Sequence, residues 1–210
     1  MAATASARPT DTSGLNWLGT PASGEPQPTP RVGSVAYEQP NDSADGFFTD
    51  AVAGQFYSQR IADNFTLAST SNVNGVNWWG SSEFFIFNDL TNFSSFTVEI
   101  FADAGGAPGA SVTGPITAST AATNPVATGN FNFAGGIEYM QGIKFDNPVT
   151  LQGGTQYWLS IGSTNISPGD DGYIWSTSNS GDLILAGNFF DGVGFQSFAN
   201  TGDVAFQIQV

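Results

Sequence analysis

The chain is predicted to be all-β: a two-sheet antiparallel sandwich, jelly-roll-like, with an extended N-terminal arm. Three observations predict it. From Ser34 onward, apolar residues recur with a period of two in short runs, separated by clusters of Gly, Pro, Asn and Asp. No stretch sustains the 3.6-residue period of an amphipathic helix. Apolar residues make up 40% of the 210, with 18 Phe and 5 Trp to fill a core, while charged residues make up only 10%. Soluble domains usually carry roughly 25% charge, so this surface must be finished with Ser, Thr, Asn, Gln and Gly.

Residues 1–33 form the arm. Pro9, Pro21, Pro26, Pro28 and Pro30 alternate with small polar residues, and Leu15, Trp17 and Leu18 are its large apolar side chains. Such a segment cannot bury enough surface to offset its own ordering entropy, so it is expected to run extended and to be held through those three residues. Residues 34–210 are expected to be the sandwich. Val76 and Trp78 share one face of a strand against Asn77 and Trp79. Phe96, Val98, Ile100 and Ala102 line one face of the next clear run, and Ile137, Tyr139, Ile143 and Phe145 line another. Tyr157, Leu159 and Ile161 alternate with Trp158, Tyr173 pairs with Trp175, and Val204, Phe206, Ile208 and Val210 close the chain. Breakers such as Gln152-Gly-Gly154 and Asn179-Ser-Gly-Asp182 separate the runs, which number ten to twelve.

Several phrases in order carry a resemblance: Ile61-Ala-Asp-Asn-Phe-Thr-Leu67, Val73-Asn-Gly-Val-Asn-Trp-Trp-Gly80, Phe96-Thr-Val-Glu-Ile-Phe-Ala-Asp103, Thr155-Gln-Tyr-Trp-Leu-Ser-Ile161 and Tyr173-Ile-Trp-Ser176. Over residues 35–210 the chain resembles the β-sandwich domain of exported bacterial PEP-CTERM and choice-of-anchor surface proteins. The resemblance implies export, a surface or matrix location and no catalytic motif. The chain departs from that pattern in its Pro-rich arm and in closing on a strand at Val210.

Charge narrows the partners. Eighteen acidic residues against Arg8, Arg31, Arg60 and Lys144 give a net charge of −14. Phosphate backbones and anionic lipid surfaces both need clustered cations, so nucleic acid and membrane insertion are not expected. With no cysteine, no disulfide framework exists to read. Histidine is absent too, which removes Ser-His-Asp and Cys-His nucleophile systems and the usual zinc ligand sets. Paired carboxylates need neither residue, so Glu99 and Glu138, each opposite the apolar face of its strand, are the candidates for a glycosidase. The expectation is nevertheless of a protein that is not an enzyme and needs no cofactor. Calcium is the one metal with candidate ligands, Asp170 and Asp171 beside Gly172, although Asp and Gly are also ordinary turn residues.

Aromatic placement leaves two further readings open. Trp79, Trp158 and Trp175 could stack on sugar rings if exposed, making a carbohydrate-binding module with a polysaccharide partner. If they pack instead, the leading expectation holds: a structural or adhesive subunit, extracellular, at the cell surface or on a virion exterior. It would form a homo-oligomer or larger assembly through sandwich contacts and arm exchange.

Overall fold

The computed structural model describes residues 33–55, 57–83, 90–167 and 171–210. Arm residues Leu15, Trp17 and Leu18, and the candidate ligand Asp170, lie outside them. The described chain is an all-β sandwich of two curled antiparallel sheets packed face to face.

The first sheet is organised around β4 (Ser71–Ser82). Along one edge of β4 runs β9 (Ile137–Leu151), which in turn pairs with β8 (Val126–Phe131). Its other edge is shared end to end. β15 (Phe206–Gln209) takes residues 75–78, and β11 (Tyr173–Ser178) takes residues 80–82. β1 (Val35–Gln39) covers β15, while β2 (Ser43–Phe48) and β14 (Asp203–Val204) pair with β11. The second sheet has the order β13 (Phe195–Ala199), β12 (Ile184–Asn188), β3 (Arg60–Thr66), β10 (Gln156–Asn165), β5 (Phe93–Asp103). β6 (Pro108–Ser111) and β7 (Ile116–Ser119) close its far edge on β5. The fifteen strands among the described residues exceed the ten to twelve expected, because pieces as short as β14 lack enough residues to show a period.

Alternation decides what goes inside. Val76, Trp78, Ile143, Phe145, Trp175, Phe206 and Ile208 from the first sheet meet Ile61, Phe65, Phe96, Val98, Ile100, Leu159 and Ile161 from the second, all buried. The rings interlock edge to face: Phe96 lies 4.7 Å from Tyr173 and Phe93 lies 5.5 Å from it, an arrangement favoured by the aromatic quadrupole. The Tyr173 hydroxyl is not stranded in this core. It accepts from Trp78 Nε1 at 2.9 Å and from Gln141 Nε2 at 2.7 Å, and burial holds its pKa well above the usual value.

One inward position on β3 breaks the apolar alternation. Asp63 sits between Ile61 and Phe65 and is fully buried. Its Oδ2 accepts from Val204 N of the opposite sheet at 2.8 Å, and its Oδ1 accepts from Asn64 N at 2.7 Å. It bonds the two sheets together where β14 gives way to β15, at Ala205. There the backbone N–H of Ala205 turns to Ser176 O, so the bend's polar groups find partners inside the sandwich.

Candidate functional site

None of the three tryptophans forms an exposed platform. Trp175 is a core residue whose Nε1 donates to Ala205 O at 2.9 Å. Trp158 faces away from the main core yet is fully buried, in a second cluster with Ala62, Phe101 and Ala186. Its Nε1 donates to Asp103 Oδ1 at 2.8 Å. Trp79 packs with Met140 and Ala205 on the outer face of the first sheet, also fully buried, and its Nε1 has no hydrogen-bond partner among the described residues. Period two correctly placed Trp79 and Trp158 opposite the core strips. The curl of the sheets and the segments crossing them then covered both rings, which corrects the expectation of an exposed stacking row.

The second cluster shows how that covering works. Phe195 on β13 and Phe101 on β5 belong to strands with three others between them in the sheet, yet their rings meet at 5.4 Å. Ser197 also donates to Gly106 O, in the hairpin after β5. The sheet therefore bends until its margins meet above Trp158. In the same hollow Arg60 Nη1 lies 3.1 Å from Glu99 Oε2, with both side chains 11% exposed. Burial lowers the Arg60 pKa and the Glu99 charge pulls it back.

Glu138 lies on the outer face of the other sheet, fully buried. Ser176 Oγ donates to its Oε1 at 2.6 Å; Asn41 Nδ2 at 2.8 Å, Thr128 Oγ1 at 2.8 Å and Asn130 Nδ2 at 3.0 Å donate to its Oε2. Glu99 and Glu138 thus occupy different sheets, on faces turned away from one another, and each is enclosed by protein partners. They cannot flank one glycosidic bond, which corrects their candidacy as the paired carboxylates of a glycosidase.

Asp171 is buried two residues before β11, accepting from Gly172 N at 2.8 Å, from Asn92 Nδ2 at 3.3 Å and from Ser82 Oγ. Its oxygens are bound by donors. Among the described residues no three acidic side chains converge where they could hold one ion. Near this end of the sandwich Asp50 and Glu83 are carboxyls whose pKa burial raises to about 6 and about 7. Tyr57 joins them, its backbone N–H donating to Asp50 Oδ2 at 3.0 Å and its hydroxyl to Glu83 Oε1 at 2.8 Å. Across the molecule, burial likewise raises Asp203 to about 6 and Asp63 well above the carboxylate range, Asp63 also feeling the charge of Asp203.

What stands exposed is different in kind. Among the described residues β8 pairs with β9 and with no other strand; β2 approaches it, and Asp45 Oδ1 accepts from Phe133 N at 2.6 Å. The ends of β8 and the following turn carry Val126 at 42%, Phe131 at 61% and Phe133 at 58% exposure. Just before β8 lies an apolar cleft of about 400 Å3, lined by Leu90, Phe93, Ala121, Pro125 and Tyr139. Sequence reasoning missed this edge. Its signal was Phe131-Asn-Phe133 in period two between Gly129 and Gly135, a run too short to separate from a loop. No protein-family profile matches the chain, and comparison with curated proteins finds no match.

Proposed function

We propose that this chain is a non-catalytic structural or adhesive subunit of an exterior assembly, such as a surface layer, an extracellular fibre or a virion exterior. It joins its neighbours through sandwich edges and its N-terminal arm. The observation that carries this reading is the β8 edge, a strand with one described partner whose flanks expose Phe131 and Phe133. Natural sheets usually blunt open edges with charge, Pro or a covering segment. Large apolar groups left on such an edge mark a contact surface, each worth about 1.5–3 kcal/mol when buried. The aromatics that a sugar-binding face would use are spent on packing, and the two carboxyls that a glycosidase would use stand apart. A surface finished with uncharged polar residues suits an exterior setting.

Light scattering on the full-length chain over a range of concentrations tests the reading. A mass well above one chain is expected, and the double substitution Phe131→Lys, Phe133→Lys should lower it while leaving the far-ultraviolet circular dichroism unchanged. A wild type that stays monomeric at every concentration removes the proposal.

A further inference from the structure

We propose that the apolar cleft beside β8 receives residues 15–18 of a neighbouring copy's N-terminal arm, with Trp17 as the anchor. The inference rests on the assembly reading above and names the place where the arm binds.

The cleft has the character of a peptide anchor site rather than of a small-molecule pocket. At about 400 Å3 it lies at the low end of the roughly 300–1,000 Å3 that ligand pockets span. Its walls are Leu90, Phe93, Pro125, Ala121 and the Tyr139 ring, with no charged side chain among the described lining residues. The hydroxyl of Thr120, which also lines it, is already spent, donating to Phe93 O at 2.5 Å. A sugar or a metabolite needs several convergent polar groups; one indole flanked by leucines needs apolar walls and a single acceptor, or water at the rim, for its N–H. Within residues 1–33, Leu15, Trp17 and Leu18 are the large apolar side chains, and they fall in a stretch free of proline between Pro9 and Pro21.

The length of the arm reaches a neighbour's cleft. The described chain begins at Gly33, which lines a polar groove with Ala122, Asn124 and Lys144. That groove and the apolar cleft flank the same 3-10 turn, Thr120–Thr123. The cleft on the arm's own domain is therefore only one turn away from Gly33. Residues 19–32, however, hold Pro21, Pro26, Pro28 and Pro30, and 14 residues of polyproline-like chain span about 43 Å. A domain of this length has a radius of gyration of about 16 Å and so a width of about 40 Å. That reach matches the width of the domain and is enough to carry Trp17 to the cleft of the next molecule.

The chain has no cysteine, so single thiols can be placed cleanly in the full-length protein. A tagged Leu18→Cys chain is mixed with an untagged Ala121→Cys chain, Ala121 being exposed on the turn, and oxidised. The control partner is Val52→Cys, 47% exposed in a different loop. The expected result is a mixed disulfide dimer at least tenfold more abundant with Ala121→Cys than with Val52→Cys, lost when Trp17→Ala is added. Equal yields overturn the inference. So does a Leu18→Cys, Ala121→Cys double variant that crosslinks only within one chain. So does a Phe85→Cys, Ala121→Cys variant that closes within one chain while Leu18→Cys stays free, which would give the cleft to residues 84–89. If Trp17→Ala dissociates the assembly although residue 121 is not favoured, the cleft falls and the assembly reading stands.

Discussion

Glu138 shows what a single buried charge asks of its surroundings. Four neutral donors from Asn41, Thr128, Asn130 and Ser176 stand in for water around one carboxylate, and they come from three separate parts of the chain, Thr128 and Asn130 sharing β8. Glu138→Ala would remove the carboxylate acceptor from the buried Asn41 and Ser176 and the half-buried Thr128 and Asn130, at about 1–3 kcal/mol for each group left dry. A loss of at least about 3 kcal/mol is expected in urea unfolding, and Glu138→Gln should cost less because its amide oxygen still accepts. A loss below about 1 kcal/mol for the alanine variant would show that water reaches the site. The raised carboxyls act on the molecule through pH. Asp50 and Asp203, near 6, and Glu83, near 7, hold their protons more tightly when folded than in the unfolded chain, where such groups titrate near 4. Unfolding therefore releases protons between about pH 4 and pH 7, and stability falls as pH rises through that window. Lowering the pH from 7.5 to 5.5 should raise the melting temperature by something on the order of 5 °C. The variant Asp50→Asn, Asp203→Asn should flatten that slope, which separates these groups from the general relief of a net charge of −14.

At the scale of elements, the curled second sheet buries an ion pair that a flat sheet would leave in water. Arg60 Nε and Nη2 have no hydrogen-bond partner among the described residues while Nη1 holds Glu99, so the pair is bound by Coulomb attraction more than by a full set of hydrogen bonds. Breaking it from one side should cost about 3–5 kcal/mol, whereas an apolar replacement of both residues should be close to neutral. Glu99→Leu, Arg60→Met and the double variant, compared by denaturant unfolding, check this: two single losses that simply add in the double would mean no coupling. Strand pairing is equally unforgiving at Gly80, in β4 where β11 joins it. A Cβ there would run into the Tyr173 hydroxyl and the Ile174 carbonyl. Gly80→Ala should therefore force apart β4 and β11, lowering the melting temperature by more than either single change at the ion pair.

For the whole molecule, chain order and spatial order diverge. β15 enters last but lies between β1 and β4, so the ends of the described chain meet: Ser34 N donates to Val210 O at 3.0 Å and Val210 N to Ser34 O at 2.9 Å. A chain stopped after Ala205 would lose Phe206 and Ile208 from the core and expose an edge of β4. It should fail to give a cooperative thermal transition, and a sharp transition would mean that the sheet closes without its last strand.

Much of this architecture was legible in the residues. Period-two alternation in β5, β10 and β11 places Val98, Ile100, Leu159, Ile161, Tyr173 and Trp175 inward, as the core has them. Alternation also put Trp79 and Trp158 on the outer faces, because pleating alone fixes which side of a strand a residue occupies. It could not show what lies above that side. The covering of Trp158 depends on β13 curling to β5, the separation of Glu99 from Glu138 on which sheet each strand joins, and the burial of Asp63 on a bend at Ala205 more than a hundred residues away. The unpaired flank of β8, too, exists only because β9 pairs it on one side and no other described strand pairs it on the other. Local sequence determined the fold class, the faces and the turns, since those follow from neighbours in the chain. Tertiary structure alone decided exposure, pairing of charges and free edges, since each depends on contacts between segments far apart in sequence.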